Sequence, residues 1–243
     1  MEDNIILSHI HNAGVSASKL FNADRFLSDL DTFIQFKTCV DQNQPEFAAA
    51  RAWIQAFFDP AVTAFETFTF NGFTSLLIRP RGSGRPRLLG DGHIEVVPGG
   101  SGLFALRQEG THLYGRGVAD MKTQCLMMMT VLRDLLAAGQ ANDFWLLFSE
   151  DEEIGSAYGA RQMVDLLDEK GCLPDVIFAP DGGPDFAYVE KDKGMISFDV
   201  TARGQAAHGS RPFLGVNAIE RMMALYAAFQ ARFPNPSAET DWI

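Results

Sequence analysis

KTQCLMMMTVLRDLLAAGQANDFWLLFSEDEEIGS, residues 122–156, carries two different apolar periods in one unbroken stretch. In its first half, Cys125, Met128, Met129, Leu132, Leu135 and Leu136 recur three and four residues apart, which predicts one face of a helix. In its second half, Phe144 to Phe148 is a continuous apolar run, the mark of a strand covered on both sides. The unit then repeats. Ala160, Met163, Val164 and Leu167 predict a further helix, and Val176 to Ala179 a further buried strand. Helix and doubly buried strand in alternation read as an α/β fold, with a mainly parallel, mixed sheet sandwiched by helices.

Towards the N-terminus the pattern is different. Phe26, Leu30, Phe33 and Ile34 predict a helix over 24–37. Pro45 opens a second helix, with a stripe of Phe47, Ala50, Ile54, Phe57 and Phe58 that ends at Asp59-Pro60. Phe68 and Phe70 then alternate with threonines, and Asn71-Gly72 supplies a hairpin turn before Phe73 to Ile78. Pro86 to Glu95 reads as another strand running into a loop. Near residue 194 the texture shifts again: Ile196, Phe198 and Val200 alternate with Ser197, Asp199 and Thr201, a strand with one buried face. A helix follows with Ile219, Met222, Met223, Tyr226 and Phe229 expected to face inward, and residues 234–243 read as loop. These mark the start of a smaller α+β domain, because one strand and one helix cannot bury their apolar faces alone. The expected division is one domain over 1–190 and the first part of a second domain over 191–243.

Composition excludes several classes. Of 243 residues, 20 are Lys or Arg and 31 Asp or Glu, a net charge of −11, which argues against nucleic acid or an anionic membrane as the main partner. Cys39, Cys125 and Cys172 lie far apart with no CxxC pair, so neither a disulfide scaffold nor a cysteine-rich zinc module is expected. The N-terminal MEDNIILSHIHNAG lacks a secretory pattern and no apolar run approaches a membrane span, so a cytoplasmic location is expected.

Four clusters of potential ligands stand at the ends of predicted strands, where open α/β sheets place their sites. In GDGHIEVVPGG (90–100), His93 and Glu95 are two apart and face the same way on an extended segment; a surface His beside a surface Glu is the plainer reading. In LYGRGVADMK (113–122), Asp120 precedes a helix and could simply cap it. In FSEDEEIGS (148–156), four acids, Glu150 to Glu153, follow a buried strand. A helix dipole favours such acids, but four exceed what capping requires, and their repulsion invites a cation. In FAPDGGPD (178–185), Asp181 stands just past a strand, where Asp-Gly-Gly is also an ordinary turn. Together, His93, Asp120, Glu152, Glu153 and Asp181 form a nitrogen and oxygen donor set without thiolate, which suits zinc, manganese or cobalt in a catalytic site.

These segments resemble the co-catalytic zinc amidohydrolases and peptidases, the family of aminoacylase-1, acetylornithine deacetylase, succinyl-diaminopimelate desuccinylase and glutamate carboxypeptidase. GHIEVVP matches that family's GHxDVVP, YGRGVADMK its YGRGxxDMK, and DEEIGS is identical. KGMISFDVTARGQAAHGSRPFLGVNAI (193–219) matches a fourth, longer pattern that follows an acid equivalent to Asp181. The resemblance implies a zinc-exopeptidase-like catalytic domain followed by a ferredoxin-like lid that dimerises. It also implies roles. His93 and Asp181 bind one Zn2+, Asp120 bridges to a second that Glu153 also binds, and Co2+ or Mn2+ could substitute. Glu152 acts as general base, and His208 supports the oxyanion, commonly across a dimer interface. Asn217 lines the cleft, Glu95 orients His93, and the peptide after Asp120 is cis. The substrate class would be N-acyl amino acids or small peptides, with Asp181-Gly-Gly leaning towards the peptidases.

Two departures stand out. Glu95 replaces the family's Asp and is one methylene longer, so His93 is expected to be held less well. The family also carries a second metal-binding histidine and carboxylate-reading residues further on, and no histidine follows His208 here. The chain is therefore expected to be the N-terminal part of such a hydrolase. The alternative is an inactive metal-binding or dimerising fragment.

Overall fold

A computed structural model describes residues 21–40, 44–140, 142–182 and 198–233. The chain divides between Tyr188 and Val189 into two compact units. The proposed strand residue Ile196, the N-terminal stretch 1–14 and the loop 234–243 lie outside the described residues.

In the first unit, α1 (Ala23–Gln35) starts at Asn22, whose side chain accepts the N–H of Arg25 at 2.9 Å. It is followed by α2 (Gln44–Ala56) and the hairpin β1 (Thr63–Phe70) and β2 (Phe73–Pro80). Asn71 and Gly72 turn this hairpin with φ of 49° and 88°, the left-handed pair that an Asn-Gly turn provides. Then come β3 (Leu88–His93), a small ribbon of β4 (Arg107–Glu109) and β5 (His112–Tyr114), and α3 (Lys122–Ala137). β6 (Phe144–Ser149), α4 (Ala160–Glu169) and β7 (Val176–Phe178) complete the unit.

The main sheet has the order β1-β2-β6-β3-β7. β1, β2 and β6 pair antiparallel, whereas β6, β3 and β7 pair parallel, so the sheet is mixed, as its two textures suggest. Alternation sorts its side chains onto two faces. Leu76, Ile78, Leu146 and Phe148 join the cores of α1, α2 and α3, while Leu77, Leu89, Trp145 and Leu147 meet Met163 and Leu167 of α4. Gly90 and Gly92 let α3 approach β3 closely. A Cβ on Gly90 would lie 2.7 Å from Met128 Sδ, and one on Gly92 2.8 Å from Cys125 Sγ. The Lys122 side chain, fully buried, donates to the carbonyls of Phe33 (3.1 Å) and Phe36 (2.7 Å) and so closes the C-terminal end of α1.

Two expectations are corrected. β7 is exposed rather than buried, with Val176 at 56% and Phe178 at 50%, because it is the edge of the described sheet and only β3 pairs with it there. In the second unit, residues 198–201 form no strand among the described residues, and the helix α5 (Ala218–Arg232) buries none of its side chains. Ile219, Met223 and Tyr226, expected inward, are 70%, 65% and 61% exposed. The periodicity of the helix is correct. What it lacks among the described residues is an apolar layer to pack against, so Phe198, Val200, Met222, Tyr226 and Phe229 line an open groove instead. A single bridge, Gln205 to Val216, ties the segment before α5.

Candidate metal centre

β3, β6 and β7 run parallel, so their C-terminal ends share one edge of the sheet. From β3 the chain crosses to β6 on one side, and from β6 it crosses back to β7 on the other. That reversal opens a crevice at the strand ends. His93 is the last residue of β3, Glu150 to Glu153 leave β6 directly, and Asp181 stands three residues past β7. Asp120 enters from the loop before α3, and its peptide bond to Met121 is cis.

His93, Asp120 and Asp181 each offer a ligand atom within 4.8 Å of the others. His93 Nε2 lies 2.9 Å from Asp120 Oδ1, 3.6 Å from Asp181 Oδ2 and 3.9 Å from Glu152 Oε2. The imidazole is buried, while Asp120 and Glu152 are about half exposed, so the cluster has a dry floor and an open mouth. Asp120 does not cap α3. Met121 occupies the cap position, and the Asp120 carboxylate turns to the imidazole instead. His93 Nδ1 faces the carbonyl oxygen of Glu95 at 3.1 Å and Glu95 Oε2 at 3.6 Å, which directs Nε2 into the cluster.

The electrostatics describe a site short of positive charge. Burial pushes the His93 imidazole down, but the Glu95 carboxylate, with Asp120 and Glu152, overrides it and holds the ring up at about 10. Burial, with Asp181, Glu95 and Glu153 adding, raises the Glu152 carboxyl above the usual range against the pull of His93. Glu153 and Asp181 are raised in the same way, by burial first and then by Asp120. One imidazole and converging carboxylates that repel one another fit a divalent cation both in donor chemistry and in charge.

The four consecutive acids divide their work. Glu150 is buried and accepts from Arg51 and from the N–H of Thr74 at 2.9 Å. Asp151 is buried too, and its Oδ2 accepts the N–H of Tyr158 at 2.7 Å. Glu152 and Glu153 stand on a 3-10 turn (Glu152–Ile154): Glu152 reaches to 3.9 Å from His93 Nε2 and the Glu153 carboxyl feels the charge of Asp120, but neither joins the three ligand atoms that lie within 4.8 Å of one another. Glu95 holds that turn: its Oε1 accepts the N–H of Glu152 and that of Glu153, the latter at 3.2 Å. The extra methylene of Glu95 therefore has a use, since the carboxylate serves the acid turn as well as facing the imidazole. Arg51 escaped the sequence reading, although it falls between Ala50 and Ile54 on an otherwise apolar stripe, and a charge there signals a buried partner.

In the second unit His208 is exposed, and its Nδ1 lies 2.8 Å from Ser210 Oγ. Asn217 caps α5: its Oδ1 accepts the N–H of Ile219 at 2.9 Å, and its Nδ2 donates to Glu220 at 3.3 Å. No helix among the described residues is long and apolar enough to cross a membrane.

Known proteins resemble this chain in sequence and in fold. The chain is 34% identical over 170 residues to the succinyl-diaminopimelate desuccinylase of Gluconobacter oxydans, covering 66% of this chain and 44% of that protein. It is 32% identical over 197 residues to that of Acidiphilium cryptum, covering 77% and 52%. The chain thus spans about half the length of the curated relatives it matches. Among solved structures, human carnosine dipeptidase 1 superposes with a TM-score of 0.56 at 19% identity, over 65% of this chain and 38% of that one. Aminopeptidase PepT from Bacillus cereus superposes with a TM-score of 0.51 at 15% identity, over 92% and 59%. These two superpositions support the fold. Residues 89–179 match the family model of peptidase family M20/M25/M40 and residues 191–243 that of the peptidase dimerisation domain, so the chain carries both signatures in order and resembles the metallo-amidohydrolases that share them.

Proposed function

We propose that the crevice at the ends of β3, β6 and β7 binds divalent cations, zinc first among them, and serves the hydrolysis of an amide bond. The observation that carries this reading is the convergence of His93, Asp120 and Asp181 within 4.8 Å, with the Glu152 carboxylate beside them. His93 and Asp181 would hold one ion, Asp120 would bridge, and Glu153 would serve a second. Bound there, such ions would activate a water and polarise the scissile carbonyl. Glu152, with its carboxyl raised and about half exposed, is suited to take a proton from that water and deliver it to the leaving nitrogen. His208 is assigned to the developing oxyanion and Asn217 to the substrate cleft. Residues 1–190 are read as the catalytic domain and 191–243 as lid, with a homodimer formed through the lid, in keeping with the dimerisation-domain match. The place of action is proposed as the cytoplasm.

The substrate proposed is an N-acyl amino acid. The desuccinylase names of the relatives favour an acyl group over the peptide to which Asp181-Gly-Gly leans. Small peptides remain the second member of the class. Among the described residues the second ion has only Asp120 and Glu153, so a metal-binding chain without turnover is the competing reading. A panel of N-succinyl, N-acetyl and dipeptide substrates with added Zn2+ tests the proposal. Hydrolysis that falls ~10²–10⁴-fold in Glu152→Gln supports it. Zn2+ binding with no turnover of any substrate favours the competing reading, and no Zn2+ binding refutes both.

A further inference from the structure

We propose that Arg51 and Glu150 form a positioning pair that sets where the acid turn of residues 152–153 stands; this rests on the reading of Glu152 and Glu153 as groups that serve a divalent cation. Glu150 is the first residue beyond β6, so it marks the point where the chain leaves the sheet for the site. Its side chain is 1% exposed, and that of Arg51 is 17% exposed. The carboxylate gathers two other elements at that point. Oε1 accepts from Arg51 on α2, and Oε2 accepts the N–H of Thr74 near the start of β2. Thr74 is itself tied across the hairpin to Thr69, with the two hydroxyl oxygens 2.9 Å apart.

The turn beyond is held from its other side. The carbonyl of Asp151 accepts the N–H of Ser156 at 2.8 Å, and Glu95 takes the amides of Glu152 and Glu153. Only Asp151 separates Glu150 from the proposed base, so little slack lies between the anchor and the working carboxylates. Stability alone does not account for such a pair. Replacing a buried ion pair by apolar side chains of similar volume is often neutral or stabilising, whereas a buried charge pair has geometry that an apolar contact lacks.

The experiment compares the parent with Arg51→Met/Glu150→Leu and with Glu150→Gln. Two readouts are used: amide hydrogen exchange at residues 152–156 in the metal-free protein, and Co2+ affinity by visible absorption. The double variant is expected to unfold at a temperature near the parent's, since apolar groups replace the pair. Its amides at 152 and 153 should nevertheless exchange faster and its Co2+ affinity should drop ~10–100-fold, the scale of outer-shell changes. A folded double variant with parental exchange and parental Co2+ affinity overturns the proposal. Should the double variant fail to fold, Glu150→Gln decides by the same two readouts, because the amide keeps an acceptor for Thr74 while losing the charge. A parent without Co2+ affinity, or with affinity that survives His93→Ala, refutes the metal reading. The exchange data still decide whether the pair positions the turn.

Discussion

Glu95→Asp tests the joint role of this residue most sharply. Substitution by the family's own residue would be expected, from sequence alone, to leave the site intact or improve it. The structure predicts the opposite. Ile94 and Val96, on either side of Glu95, are buried and donate their N–H groups to the carbonyls of Ser149 and Thr38, so the backbone has little room to shift in compensation. Shortening the side chain withdraws the carboxylate by ~1.5 Å, one C–C bond. The contact to the Glu153 N–H, now 3.2 Å, then passes beyond hydrogen-bond range, and that to Glu152 weakens. Hydrogen bonds to a charged group contribute ~1.5–3 kcal/mol each, so a loss of about 2–4 kcal/mol in unfolding free energy is expected. His93 keeps its Nδ1 contact to the residue-95 carbonyl at 3.1 Å, which does not depend on side-chain length. The defect should therefore appear in the acid turn more than in the imidazole. Urea unfolding measures the stability, and hydrogen exchange at the amides of 152 and 153 locates the change. A Glu95→Asp protein with parental stability and parental exchange at those amides would falsify the coupling of Glu95 to the turn.

Four further outcomes are expected. Because His93 is held at about 10 in the metal-free protein, an ion must displace its proton, so ion affinity should rise by about tenfold per pH unit below that value. Calorimetry in buffers of different ionisation heat should find about one proton released per ion at pH 8, and no release would contradict the assignment of His93. The same shift makes the charged imidazole a stabilising group in the metal-free fold. That contribution is complete below the unfolded value of about 6.5 and is lost as pH rises through about 10, which metal-free unfolding across that window will show. Gly159→Ala would drive a Cβ into Asp151 Oδ1 and to 2.6 Å from Ser149 Cβ, both buried. It should cost ~1–3 kcal/mol in denaturant unfolding. Lys122→Met leaves the carbonyls of Phe33 and Phe36 without their donor and should lower unfolding free energy by roughly 1–3 kcal/mol.

Much of the first unit is legible from local pattern. The helix periods at Phe26–Ile34 and Cys125–Leu132, the Asn71-Gly72 turn and the apolar run at 144–148 depend on short-range spacing, and each element forms where its period lies. His93 and Asp181 are legible as ligand candidates from their place at the ends of β3 and β7, because parallel strands bring their C-terminal ends together, whereas Asp120 follows the antiparallel ribbon and reaches them from the loop before α3. What a local period cannot report is whether a partner layer exists. The exposed faces of β7 and α5 show this, since the same apolar spacing reads as core whether or not anything covers it.

By itself, then, the sequence determined the elements, the donor types at the strand ends and a resemblance to the family whose motifs it shares. Only the tertiary structure decided how four successive acids divide their work. Glu150 turns to Arg51, from 99 positions earlier, and Asp151 to the backbone of Tyr158, leaving Glu152 and Glu153 as the acids proposed for the site. It also decided that Glu95 reaches across to hold them. The physical reason is one of range. Period and propensity act over a few residues, whereas the orientation of a buried carboxylate is set by whichever donor the fold brings to it.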